Sequence, residues 1–184
     1  MTMARLDQSD DLEAALHSLH LAHDPTTTDR LLAHLTHTEP RVRELVLHLL
    51  RHSQAPQAID QLLPLLEDPE PAVRAAAITT IAQHPAQEAA VAALTHAACD
   101  PDAAVRRNAI WELGEIGHPR GIPAIRAGLR DESLIVREVA ILAAMRCDDP
   151  AIQANLMTCL HDPIDAVRDA AAFALAQLSR PPQP

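Results

Sequence analysis

The sequence predicts an all-α solenoid, a stack of helical hairpins that share one continuous core. Three observations carry this. A Val-Arg pair recurs at Val42-Arg43, Val73-Arg74, Val105-Arg106, Val136-Arg137 and Val167-Arg168, every 31 residues with a single step of 32. Apolar residues recur around each copy at helical spacing, and Pro, Asp and Gly punctuate the joins in EDPEP, CDPDA, GHPRG and HDPID. Hydrophobic residues make up 48% of the chain but aromatics only 1%, so the core is built of Ala, Leu, Ile and Val. A period of this length marks a repeat architecture, because a lone helical hairpin cannot bury both of its faces. With 4 Gly and no short β-branched runs, strands are not expected.

The elements follow in order. Ser9–His23 reads as a B-type cap helix in residues 1–25, with Ser9 as N-cap and Asp10 and Asp11 in its first turn. Five repeats follow, at 26–55, 56–86, 87–118, 119–148 and 149–180, and residues 181–184 form a frayed tail, the whole being one domain. Helix A of each repeat covers roughly 28–37, 57–66, 87–98, 121–130 and 150–160. Its buried column is Leu31, Leu62, Leu94, Ile125 and Leu156. Helix B covers roughly 40–52, 71–83, 103–116, 134–146 and 165–179. Positions 0, +4 and +8 from each Val share one face: Val46, Ala77, Ala109, Ala140 and Ala171 at +4, then Leu50, Ile81, Leu113, Ala144 and Leu175 at +8.

Five residues before each Val stand His37, Asp68, Asp100, Asp131 and Asp162. An Asp there accepts from backbone N–H groups of the turn, and the following Arg reaches a neighbouring Asp. Asp68, Arg74, Asp100, Arg106, Asp131, Arg137, Asp162 and Arg168 are thus expected to form a structural ladder rather than an anion-binding stripe, and His37 breaks it in the first repeat.

The frame D-P-x-x-A-V-R-x-x-A-x-x-x-L-G, closest in DPDAAVRRNAIWELGEIG at 101–118, resembles the short HEAT-like repeat of the phycobilin-lyase type. The resemblance covers residues 26–180 and implies a right-handed α-α superhelix of five HEAT-like hairpins whose B helices line the concave surface. Ankyrin and tetratricopeptide frames do not fit: no T-P-L-H-x-A occurs, and WELG is one residue short of W-x-x-L-G.

Chemistry is sparse. Deoxyhypusine hydroxylase is similar in fold and holds iron with His-Glu pairs, but this chain has no His-Glu dipeptide, so no iron ligand is carried over. Cys99, Cys147 and Cys159 form neither a disulfide framework nor a zinc motif and read as reduced thiols. All 15 basic residues are Arg against 25 acids, and the net charge of −10 argues against nucleic acid. No apolar run of 18 residues predicts a membrane span, and the N-terminus lacks a signal-peptide pattern, so a cytoplasmic monomer is expected. Seven of the 11 His lie in the first 52 residues. Glu44, His48 and His52 form an i, i+4, i+8 ridge that could hold a metal, although solvated polar faces are the simpler reading and no cofactor is expected.

Six residues after each Val stand His48, Thr79, Trp111, Leu142 and Phe173, off the buried seam. Trp111, Leu142 and Phe173 with Arg107, Glu138 and Asp169 at +2 form the candidate protein-binding groove; filler between B helices is the competing role for the three apolar residues. The functional expectation is a non-catalytic adaptor or assembly factor. The alternative is a cofactor-handling or enzymatic chain, either a bilin-lyase-like subunit or a metal-dependent activity at the His-rich end.

Overall fold

A computed structural model describes residues 27–51, 58–147 and 149–179, and these are helical throughout, with no strand. The expected cap helix at Ser9–His23 lies outside the described residues. The chain divides into two compact units, Met1–Gln87 and Glu88–Pro184. The first holds α1 (Thr27–Leu32), α2 (Pro40–Leu50), α3 (Ala58–Leu62) and α4 (Pro71–Ala82). α5 (Gln87–Ala97) opens the second, followed by α6 (Ala103–Ile116), α7 (Ile122–Gly128), α8 (Leu134–Ala144), α9 (Pro150–Cys159) and α10 (Asp165–Leu178).

Two A helices are shorter than the period suggests. α1 ends at Leu32 and gives way to turns, although Leu35 is still buried. α3 tightens into a 3-10 helix over Leu63–Glu67. Pro64 explains the change, because it has no N–H to donate and its ring crowds the carbonyl one turn back.

In the first unit α2 packs on α4; in the second, α8 packs between α6 and α10. The repeat columns form the core. The five Val at position 0 and the five residues at +4 are all at 0% exposure, so the seam is sealed in every repeat. Each buried Val or Leu contributes about 1.5–3 kcal/mol. Leu175 is only half-buried, because no further repeat among the described residues covers the last B helix.

Small residues set the distance between layers. A Cβ placed on Gly114 would sit 2.6 Å from Ala143 Cβ and 2.8 Å from its Cα, so α6 and α8 touch there backbone to backbone. Gly117 ends α6 in the left-handed region at φ 66°, where its N–H bonds to Leu113 O. Gly114→Ala must push the two helices apart and is expected to cost about 1–3 kcal/mol. Urea unfolding checks this, and an unchanged midpoint would contradict the close approach.

The turns between helices A and B are built alike. The Asp68, Asp100, Asp131 and Asp162 carboxylates each accept from the backbone N–H two residues on, at 2.8–2.9 Å. Arg43, Arg74, Arg106, Arg137 and Arg168 each donate to the carbonyl six residues back, at 2.7–2.9 Å. Within each unit the guanidinium also forks onto the Asp 25 residues ahead. Arg43 holds Asp68 at 2.7 Å through both nitrogens, Arg106 holds Asp131 at 2.8 Å, and Arg137 holds Asp162 at 2.7 and 3.0 Å. His37 keeps half of the Asp role: its Nδ1 accepts from Glu39 N–H at 3.1 Å and its carbonyl accepts from Arg43. Arg168 turns instead to Asp165, one turn back on its own helix.

Burial pushes the Asp68, Asp131 and Asp162 carboxyls up, but the Arg hydrogen bond, the turn N–H and the neighbouring Arg charges outweigh it and hold all three low. A depressed folded pKa stabilises the fold above the unfolded value near 3.8 and loses that contribution as pH falls towards the folded value. Asp131→Asn should therefore show a shallower loss of stability below that pH than the wild type, read as the urea midpoint against pH. Parallel curves would contradict the assignment.

Candidate functional site

The face beside the buried seam is where the two units differ. In the first unit the +6 positions hold exposed His48 and half-buried Thr79, whose hydroxyl donates to Ala76 O at 3.0 Å. Glu44 Oε1 lies 3.7 Å from His48 Nε2, and His52 lies outside the described residues. Among the described residues no group of three or more His, Cys, Asp and Glu is placed to hold a metal ion.

In the second unit the same column is apolar. Phe173 on α10 is 56% exposed and Leu142 on α8 is 44% exposed, so neither fills space between B helices. Trp111 on α6 is half-buried. Arg146 lies over its ring at 5.2 Å, pairs with Glu115 at 2.9 Å and donates to Leu142 O at 3.2 Å. Arg146 therefore fixes the indole from the side of α8, a contact worth about 0.5–1 kcal/mol when partly exposed. The apolar strip continues through Ile135, 43% exposed and seven residues before Leu142 on α8; Ile164, 40% exposed, stands in the turn entering α10. Every large hydrophobic residue that is exposed among the described residues lies in the second unit.

The charged +2 residues flank this strip. Arg107 is exposed and, among the described residues, hydrogen-bonds only to the Asn108 side chain, at 3.0 Å. Glu138 is half-buried and Asp169 exposed, and neither makes an ion pair among the described residues.

Comparison with known families decides the lineage of this arrangement. The HEAT repeats model matches residues 28–100 and 59–145, and the HEAT repeat model matches 152–180. The chain belongs to the HEAT-repeat family. Among solved structures, it resembles the complex of CpcE and CpcF of phycocyanin lyase from Nostoc sp., at 24% identity, TM-score 0.64, covering 82% of this chain and 99% of that one. It also resembles a designed armadillo repeat protein in complex with the peptide (KR)4, at 16% identity, TM-score 0.60, covering 94% and 95%. An engineered protein matches at 18% identity and TM-score 0.60, covering 94% and 93%. These likenesses establish the solenoid fold. No curated protein matches the chain.

In this HEAT-repeat chain the Glu115–Arg146 clamp is the feature that reading by type overlooks. Its signal is positional. Glu115 and Arg146 both stand ten residues after their Val, in neighbouring repeats, with opposite charges. The links from B to A helices hold a second hidden regularity. His84 and His118 Nδ1 and Asp149 Oδ1 each accept from the N–H two residues on, at 3.1, 3.2 and 2.9 Å. These imidazoles act as turn acceptors.

Cys147 and Cys159 are not poised as nucleophiles. Cys99 is exposed and unpaired, and burial pushes the Cys147 and Cys159 thiols up, away from the thiolate. Cys147 lines a cleft of about 280 Å³ with Asp149, Pro150, Ile152, Gln153 and Leu178, below the size of ordinary ligand pockets. No described helix is long and apolar enough to cross a membrane.

Proposed function

We propose that this HEAT-repeat chain is a non-catalytic scaffold that binds another protein through the B-helix face of its second unit. The observation that carries the reading is the exposure of Leu142 and Phe173 on adjacent helices, in register with a Trp111 braced by Arg146. Exposed apolar side chains of this size, contiguous and edged by charge, are what protein interfaces use as anchors. Arg107, Glu138 and Asp169 supply that edge. Proteins of similar fold hold a peptide in one case and a second protein in another, which supports the class of activity. Three free cysteines suit a reducing compartment such as the cytoplasm.

The test is affinity capture from an extract of the source cells, wild type against Leu142→Glu/Phe173→Glu, with helicity followed by circular dichroism. A protein retained by the wild type and depleted about 30-fold or more by a variant of unchanged helicity supports the face. Equal retention by both would place the binding elsewhere.

A further inference from the structure

The charges on either side of the apolar strip form a pattern that fits itself. Resting on the scaffold reading above, we infer that the partner this face takes is a second copy of the chain. The two copies dock about a two-fold axis that runs along the row of Trp111, Leu142 and Phe173 and crosses their helices. The B helices of one copy then lie antiparallel to those of the other.

Each B helix of the second unit carries a large apolar residue with a polar one four residues before it and another four after. α6 has Arg107, Trp111 and Glu115; α8 has Glu138, Leu142 and Arg146; α10 has Asp169, Phe173 and Gln177. Residues four apart share one side of a helix, so each trio forms a ridge about 12 Å long. Every member of the three trios is exposed or half-buried. Ala104, Ile135 and Ala166 extend the ridges at one end, and all three are exposed and uncharged. The signs alternate between the first two ridges: α6 reads cation, apolar, anion, and α8 reads anion, apolar, cation. The first unit has no such pattern, since α2 carries Glu44 and His48 and α4 carries Ala75, Thr79 and Gln83 at these positions.

A two-fold contact brings residue i of one copy to j of the other, and j to i. With the axis along the apolar row, each ridge meets its own copy reversed. Arg107 faces the partner's Glu115 and Glu138 faces the partner's Arg146, each pair occurring twice. Asp169 faces the partner's Gln177, so no like charges oppose one another along the ridges, and the apolar row closes on itself. Among the described residues Arg107 and Glu138 make no ion pair within their own chain, whereas Glu115 and Arg146 hold each other at 2.9 Å. The contact gives the first two their partners and extends the Glu115–Arg146 pair into a network. A two-fold parallel to the helices would pair Arg107 with the partner's Asp169 twice. It would also set Glu138 on the partner's Glu138 and Arg146 on the partner's Arg146, which like-charge repulsion opposes. The net charge of −10 works against self-association at long range, but salt of physiological strength screens charges more than about 8 Å apart and leaves close pairs of this kind.

The test is sedimentation of the full chain over a concentration series. The wild type should form a dimer that Leu142→Glu/Phe173→Glu abolishes. Arg107→Glu and Glu115→Arg should each weaken it about tenfold or more, because each sets like charges together twice. Mixed in equal amounts, these two variants should associate with each other to within about threefold of the wild type, since each carries the charge the other lacks. Glu70→Arg makes the same change in net charge as Glu115→Arg but lies in the first unit, and should leave the dimer within about twofold. A wild type that stays monomeric at every concentration would overturn the second copy; a different protein captured through Leu142 and Phe173 would then keep the scaffold reading. A dimer that survives Leu142→Glu/Phe173→Glu would place self-association on another face. Unchanged dimers of Arg107→Glu or Glu115→Arg, or a mixture that fails to associate, would overturn this two-fold.

Discussion

Asp131→Ala is expected to lower the unfolding free energy by about 3–5 kcal/mol. Asp131 and Arg106 expose only 12% and 9% of their side chains and meet through two hydrogen bonds at 2.8 Å. Removing the carboxylate leaves a largely buried guanidinium with the Asp100 and Pro101 carbonyls and a 3.5 Å contact to exposed Glu132, none of which replaces the lost fork. It also takes the acceptor from Ser133 N–H in the same turn. Arg137 keeps its bond to the Asp131 carbonyl, since that oxygen belongs to the backbone. The contrast is Arg120–Glu88, slightly shorter at 2.7 Å but 67% exposed on both sides. Glu88→Ala should cost no more than about 1 kcal/mol, because exposed pairs are screened and already solvated. Urea unfolding of the two variants compares them directly. Similar small losses would mean the repeated Arg–Asp fork does not hold the hairpins together.

The second large effect is on binding, in a chain that stays folded. Leu142→Glu/Phe173→Glu is expected to lower the unfolding free energy by no more than about 1–2 kcal/mol, since Leu142 is 44% and Phe173 56% exposed, although each new carboxylate stands one turn from Glu138 or Asp169. The same change puts two carboxylates in the centre of the apolar strip, beside Glu138 and Asp169. A desolvated interface there must bury unpaired charge, so the loss in affinity should be about 30-fold or more. Trp111 is a poorer probe. It is half-buried and stacked beneath Arg146, and substituting it removes packing as well as surface.

The fold was legible because the repeat writes the same physics five times. Val at position 0 and Val or Ala at +4 are periodic in the sequence, and the structure buries them without exception. The lengths of the A helices were less legible, since Pro64 falls inside an otherwise regular apolar pattern and tightens the turn. The six positions of the candidate face were singled out by their register relative to Val. Their burial was not readable, because a +6 side chain can lie outward or fold between helices. The outcome depends on neighbours such as Arg146, which comes from the next repeat. Exposure at Ile135 and Ile164 was missed because both look like ordinary core residues near the start of a B helix.

The most direct measurement is the affinity of the captured partner for three forms of the chain: wild type, Phe173→Glu and Met157→Glu. Met157 is 59% exposed, slightly more than Phe173, but stands on an A helix, α9. Both substitutions place the same new charge in the same unit at a similarly exposed apolar site. If the B-helix face binds the partner, Phe173→Glu loses it and Met157→Glu keeps it within about twofold. Loss with Met157→Glu and retention with Phe173→Glu would contradict the account.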